Sequence, residues 1–166
     1  MRIVLRRSTW AAIGWATLAL AVVSGGSFFS FHHVFAASSS VQLRQLSSDP
    51  YTNSSSQHKT EVEPDTYSFG STIVTAFQAG RFYSGGGSSN IGWATSTNQG
   101  TTWKNGFLSG ITVFAGGTYK RASDPAVAYD AAHSAWLISS LALSTVNNNV
   151  VGVAVLVSRS TDGGLT

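Results

Sequence analysis

Hydroxyl and carboxylate or amide side chains recur at a fixed spacing in two copies of one short pattern, Ser-x-Asp/Asn-x-Gly-x-Thr, at residues 96–102 and 160–166. Asp and Asn in such a pattern accept hydrogen bonds from backbone N–H groups of their own turn, and Gly adopts a positive φ at little cost. The pattern therefore predicts two tight turns held by side-chain hydrogen bonds rather than a catalytic site. The residues concerned are Ser96, Asn98, Gly100, Thr102 and Trp103 in the first copy, and Ser160, Asp162, Gly164 and Thr166 in the second.

Groups that could bind a metal ion or attack a substrate are scarce. The chain has no cysteine, which excludes thiolate metal ligands and cysteine nucleophiles. Its four histidines are scattered and include no pair with metal-ligand spacing in the part expected to fold. We therefore predict no metal site and no cofactor, and we identify no catalytic residue.

The two turns belong to a longer repeat. They lie 64 positions apart, from Ser96 to Ser160, and each follows an apolar, β-branched run, at residues 91–96 and 150–158. Two further strand-like runs precede them, and an acid-Pro pair opens each copy. The strand-like runs are residues 72–77 and 135–143, and the acid-Pro pairs are Glu63-Pro64 and Asp124-Pro125. The shared order predicts an all-β fold built from repeated antiparallel units.

The N-terminal residues are expected to lie outside that fold. Residues 1–36 read as a secretory signal, with Arg2, Arg6 and Arg7 before an uncharged apolar run at 10–23. The alternative is an uncleaved membrane anchor, because residues 10–31 could span ~30 Å as a helix. Residues 37–60 are rich in Ser, Thr and Asn and are predicted to be a flexible linker. We thus expect a secreted or cell-surface protein, with membrane contact only through a retained N-terminal segment.

The formal net charge of +3 does not indicate a nucleic-acid-binding protein. The whole excess comes from the three arginines of residues 1–36, and from residue 37 onward seven basic groups balance seven acidic ones. Since no basic stripe exists outside the N-terminal segment, we predict no nucleic-acid partner.

The two turn patterns resemble the Asp box of sialidase-like (BNR-repeat) β-propellers, whose motif ends in the Trp that Trp103 supplies. The resemblance covers residues 61–166 and implies an incomplete propeller of about two antiparallel blades joined through Asp-box hairpins. It also implies that the sequence is truncated within the propeller, because the second copy stops one residue before its Trp.

The resemblance implies site residues only where this chain keeps the family's motifs. Val62 stands where sialidases carry the first substrate-binding arginine, and Ala79 stands where they carry the acid/base Asp, in a loop expected at residues 78–81. Ser123-Asp124-Pro125 matches a sialidase pattern, which makes Asp124 a candidate ligand-binding residue. Arg81 is a second candidate, at the rim of the same site. The other reading is that Asp124 only caps a strand and that Arg81 is a solvated loop residue.

These features favour an exported sialidase-like module that binds glycans or cell-surface proteins. The alternative is the N-terminal part of an exo-α-sialidase-type glycoside hydrolase, whose catalytic Tyr-Glu pair and further arginines would follow Thr166. A third reading is another Asp-box hydrolase that acts on polysaccharides with paired Asp residues. Whether the whole protein is an enzyme stays open, but the 166-residue chain itself is expected to be inactive.

Overall fold

The computed structural model describes residues 42–166, which fold into strands with one short 3-10 helix at Val113–Ala115. The strands are β1 (Glu61–Phe69), β2 (Thr72–Arg81), β3 (Ser88–Ser96), β4 (Lys104–Phe107), β5 (Arg121–Asp130), β6 (Ala135–Val146) and β7 (Asn149–Ser160). The prediction of an all-β chain is confirmed. Residues 1–36, where we predict a signal or anchor, lie outside the described part. Residues 42–166 include no helix long and apolar enough to cross a membrane.

The strands form one open antiparallel sheet in the order β1-β2-β3-β5-β6-β7, with β4 paired to β3. The connection between β3 and β5 is a single pair, Ser88 with Ala122, whereas every other neighbour pairs over at least four residues. The sheet therefore divides at this point into a first unit, β1–β4, and a second unit, β5–β7.

The two units repeat the same strand register. Asp65 of β1 pairs with Ala76, which pairs with Trp93, and in the second unit Ala126 pairs with Ser139, which pairs with Val157. Both first strands are interrupted at the acid-Pro pair by an irregularity, between Val62 and Asp65 and between Ser123 and Ala126. Matching residues of the two units can therefore be assigned one by one.

All four predicted strand-like runs lie inside observed strands, but the predicted loop at residues 78–81 is wrong. β2 continues through Arg81 because Thr60 supplies partners for its last residues. The N–H of Gly80 donates to the carbonyl of Thr60 at 2.9 Å, and the N–H of Arg81 donates to Thr60 Oγ1 at 3.2 Å. Gly80 has φ +68°, a conformation that glycine accepts without strain.

The core lies between the two units. Val74, Ala76 and Ile91 of the first unit, each at most 1% exposed, belong to one apolar cluster with Trp136 and Ile138 of the second. Aromatic pairs extend this contact: the rings of Tyr67 and Trp136 meet edge to face at 6.2 Å, and those of Phe69 and Tyr129 stack at 4.3 Å. Burial of these side chains is the main source of stability that joins the units.

Residues 42–60 contain no regular strand, yet they pack on the first unit. Asn105 Nδ2 donates to the carbonyl of Leu46 at 2.7 Å, and Asn90 Nδ2 donates to the Tyr51 hydroxyl at 2.8 Å. Asp49 accepts from the N–H groups of Tyr51 and Thr60 at 2.8 and 3.2 Å. The predicted linker thus contributes contacts to the fold over 42–60, because the polar side chains that suggested a linker find partners there.

Candidate functional site

The two acid-Pro pairs create matching bulges at one end of the sheet. Glu63 has φ +53° and Asp124 has φ +48°, in the left-handed region that few residues other than glycine adopt. Each acid precedes a proline, which lacks an N–H and so fits a bulge better than a regular ladder position. The bulges turn both acids out of the strand alternation, and both are exposed.

A contact between the units brings the two bulges together. Asp65 Oδ2 accepts a hydrogen bond from the Val127 N–H at 2.7 Å. Asp65 lies two residues after Glu63, and Val127 lies three residues after Asp124. Since the stacking of Phe69 on Tyr129 continues the contact in the same direction, β1 and β5 run side by side with Glu63 and Asp124 at similar levels.

Glu63 is held by two neighbours from β2. Gln78 Nε2 donates to Glu63 Oε2, and Arg81 Nη1 donates to Glu63 Oε1 at 3.4 Å. The ion pair is exposed, with 36% of the Arg81 side chain and 50% of the Glu63 side chain accessible, so water screens it. Gln78 is fully buried, and its Oε1 has no hydrogen-bond partner within residues 42–166.

Asp124 differs from Glu63 because its carboxylate has no hydrogen-bond partner within the described residues. It is exposed beside the buried Ser123 and Pro125. The two sequence-predicted candidates thus lie at the same end of the sheet: Arg81 pairs with Ser88, and Ser88 pairs with Ala122, two residues before Asp124. Together with Glu63 and Gln78 they form what we call the bulge site (Glu63, Gln78, Arg81, Asp124).

A glycine-rich loop beside the bulge site is held by Arg121. Arg121 Nη1 donates to the carbonyls of Ser84 and Gly86 at 2.5 and 2.8 Å, and its guanidinium lies 4.1 Å from the centre of the Phe82 ring. Burial lowers the pKa of Arg121. Sequence reasoning missed this residue, because its partners lie 35 and 37 positions earlier and no local signal joins them.

The two predicted turns lie at the end of the strands opposite the bulge site, and both have the same pattern of hydrogen bonds. In the first, Gly100 N–H donates to Ser96 Oγ and Thr102 N–H donates to Asn98 Oδ1, both at 2.8 Å. Asn98 Nδ2 also donates to Thr102 Oγ1, and Trp103 Nε1 donates to the Gly100 carbonyl at 2.9 Å.

The second turn repeats the bonds of the first. Gly164 N–H donates to Ser160 Oγ at 3.0 Å, and Asp162 Oδ1 accepts from the N–H groups of Leu165 and Thr166 at 2.9 and 3.1 Å. The hydroxyls of Ser160 and Thr166 donate to Asp162 and hold the pKa of its carboxyl well below the usual range. The Ser and Asx side chains of both turns are thus engaged in hydrogen bonds within their own turn, which fits a structural role.

Val62 and Ala79, which the sequence resemblance matched to two sialidase active-site residues, have defined places in the structure. Val62 is half-buried and pairs with Gln78, and Ala79 is fully buried. A carboxylate at residue 79 would therefore point into the sheet packing. Among residues 42–166 no group of three His, Cys, Asp or Glu side chains could hold a metal ion.

An open cavity of about 300 Å³ lies against the first unit, and its lining includes Ser47, Glu61, Pro64 and Phe77. Ser47 Oγ donates to Glu61 Oε1 at 2.7 Å. Burial raises the pKa of Glu61, the Ser47 hydrogen bond opposes this, and the nearby Asp49 adds to it. Glu61 is the one carboxyl of this lining, half of which is apolar.

Comparisons of the chain with protein-family models, with curated proteins and with solved structures find no match. The resemblance to sialidase-like propellers therefore rests on the residues and turns of this chain alone.

Proposed function

We propose that this chain is an exported, propeller-like binding module, and that its bulge site binds a glycan. The observation that carries the proposal is the pair of matching bulges on the neighbouring strands β1 and β5, which holds Glu63 and Asp124 in a conformation that costs free energy. Unfavourable backbone conformations persist only where the surrounding fold holds them in place, and they cluster at ligand sites. The blade-like repeat and the two turns support the propeller part of the proposal.

The chemistry of the bulge site suits the hydroxyl groups of a neutral sugar. Carboxylates accept strong hydrogen bonds from hydroxyls, and the Asp124 carboxylate, which has no partner within residues 42–166, offers both of its oxygens. Gln78 is fully buried and acts on this site only by holding Glu63. Arg81 supplies the only cation of the four residues, and Glu63 already engages it. Two carboxylates against one guanidinium disfavour an acidic sugar such as sialic acid.

The alternative is the front part of an exo-α-sialidase-type hydrolase. The exposed Asp124 in its Ser-Asp-Pro context favours this reading, while Val62 and the buried Ala79 weigh against it. We expect no turnover of a fluorogenic sialic acid substrate by the 166-residue chain, because Ala79 cannot transfer a proton. Measurable hydrolysis that is lost in Asp124→Asn would establish the alternative.

The binding proposal is tested with an array of neutral and sialylated oligosaccharides, probed with the chain and two variants. Asp124→Asn should reduce binding of neutral glycans at least tenfold, because it weakens a charged acceptor. Asp130→Asn is the matched control, since it removes the same charge from the other end of β5, where the carboxylate bonds only the turn that follows. Equal binding by the two variants, or binding confined to sialylated glycans, would contradict the proposal; a glycan-independent cell-surface protein ligand would then become the better reading.

A further inference from the structure

The glycine-rich loop at residues 83–87 begins with the most exposed Phe, Tyr or Trp side chain of residues 42–166. Tyr83 is 66% exposed, whereas the preceding Phe82 is buried. The Phe82 ring lies 6.2 Å from that of Phe114 and under the Arg121 guanidinium. One ring of this aromatic pair therefore anchors the loop and the other is open to solvent. A single exposed aromatic ring is ordinary, so its surroundings decide what it can do.

The loop is held in one conformation by two other parts of the chain. The Tyr83 N–H donates to the carbonyl of Ser55 at 3.3 Å. Arg121 Nη1, from the second unit, donates to the carbonyls of Ser84 and Gly86. The backbone at Tyr83 is therefore fixed before a ligand arrives, which lowers the entropy cost of binding.

The glycines allow the loop to pack directly on β6 and β7. Gly85 and Gly87 have φ +76° and +73°, in the region that glycine adopts without strain. A Cβ added at Gly85 would lie 2.7 Å from Val150 Cγ2, and one added at Gly87 would lie 2.8 Å from Leu143 Cδ1. Larger residues at these positions would push the loop away from the second unit.

The loop borders the bulge site. Tyr83 follows Arg81 by two residues, and Arg121 precedes Asp124 by three residues on β5. Because Arg121 binds the loop directly, the loop lies between the strand ends that carry Arg81 and Asp124. An exposed, fixed aromatic residue thus adjoins a carboxylate that has no partner within residues 42–166.

We propose that the glycine-rich loop is the second wall of the bulge site, and that the Tyr83 ring stacks on the apolar face of a bound sugar while Asp124 binds its hydroxyl groups. The inference rests on the glycan binding proposed above and narrows it to neutral pyranoses with an apolar C–H face, such as galactose. Ring hydrogens of a sugar carry partial positive charge, and the face of an aromatic ring is negative. Arg121 is a positioning residue, because it holds the loop that presents Tyr83.

The test compares Tyr83→Leu with Tyr83→Phe by calorimetric titration of the full chain with the neutral oligosaccharide that binds most strongly on the array. Tyr83→Leu keeps an apolar side chain and removes the ring, so the affinity should fall about tenfold. Tyr83→Phe keeps the ring and should bind like the wild type. Both variants should unfold like the wild type, because Tyr83 is exposed.

The outcomes separate this inference from the glycan-binding proposal. Equal affinities of Tyr83→Leu and Tyr83→Phe would overturn the stacking role. If Asp124→Asn still weakens binding in that case, glycan binding at the bulge site stands without the second wall. A wild-type chain that binds no neutral glycan would overturn both.

Arg121→Lys tests the positioning role through a double-mutant cycle with Tyr83→Leu. The substitution keeps the charge but removes the planar guanidinium that lies on Phe82 and holds the loop. We expect binding to weaken at least about threefold in the wild-type background and not further in Tyr83→Leu, because the arginine acts through the ring. Equal losses in the two backgrounds would contradict the positioning role.

Discussion

The two units of the sheet share a backbone plan and differ in what covers them. Both have a bulge at an acid-Pro pair, the same register across three strands and a turn closed by Ser, Asx and Thr side chains. The face that is buried in the first unit is open in the second, as Ile91 at 0% and Val155 at 73% exposure show. Local sequence signals thus fix turns and bulges, whereas the environment of a strand face depends on its neighbour.

The two bulges also differ in which neighbours contact their acidic side chains. Glu63 is engaged by Gln78 and Arg81, while Asp124 has no partner within residues 42–166. In the first unit the acid helps to hold the end of β2, and in the second it is available to a ligand. Equivalent backbone positions therefore serve structure in one unit and, as we propose, binding in the other.

The largest expected contrast is between matched core and surface positions. Ile91→Ala should lower the free energy of unfolding by about 2–5 kcal/mol, because it leaves a cavity between the units. Val155→Ala should cost below about 0.5 kcal/mol, because the side chain is exposed. Denaturant unfolding of both variants measures the difference. Similar losses of unfolding free energy in the two variants would contradict the difference between the covered and the open face.

The next contrast concerns the turns. Asn98→Ala removes the acceptor for the Thr102 N–H and the donor to its hydroxyl, and should cost about 1–2 kcal/mol. Asn98→Asp should lose less, because Asp162 accepts equivalent bonds in the second turn. Thermal unfolding of the two variants compares them directly. A larger loss for Asn98→Asp than for Asn98→Ala would show that the turns are not interchangeable.

How far the sequence predicted these features depends on the range of the interactions. The turns and strands were predictable because their signals lie within a few residues: Asx-x-Gly for the turns and β-branched runs for β3 and β7. The acid-Pro pairs were recognised as repeats, but only the registers reveal them as bulges. The burial of Gln78, the role of Arg121 and the packing of residues 42–60 depend on partners far along the chain, and no local pattern encodes them.

A smaller effect is expected at the Asp124 bulge. Asp124→Gly should raise the free energy of unfolding by about 0.5 kcal/mol. Glycine removes about 1–2 kcal/mol of left-handed backbone strain, and the greater conformational entropy of the unfolded glycine chain offsets part of this gain. The same variant should lose glycan binding. Glu63→Gly is the comparison, because it also removes two hydrogen bonds and should not stabilise. Loss of stability in Asp124→Gly would support a strand-capping role for Asp124 instead.

The smallest effect is a pH dependence at Glu61. Because the folded state raises the pKa of this carboxyl, its ionisation destabilises the fold, and the stability present below the unfolded pKa is lost as pH rises through the folded value. Glu61→Gln should therefore raise the melting temperature slightly at neutral pH and not at acidic pH. An equal gain at both pH values would exclude ionisation as the cause.

Our main proposal is that the matching bulges form a ligand site at one end of the sheet. The most direct measurement is an NMR titration of the isotope-labelled chain with the neutral oligosaccharide that binds most strongly on the array. We expect amide shifts at residues 61–65, 78–88 and 121–126, with residues 96–103 and 160–166 unchanged. Shifts concentrated in the turns, or none in the bulges, would contradict the claim.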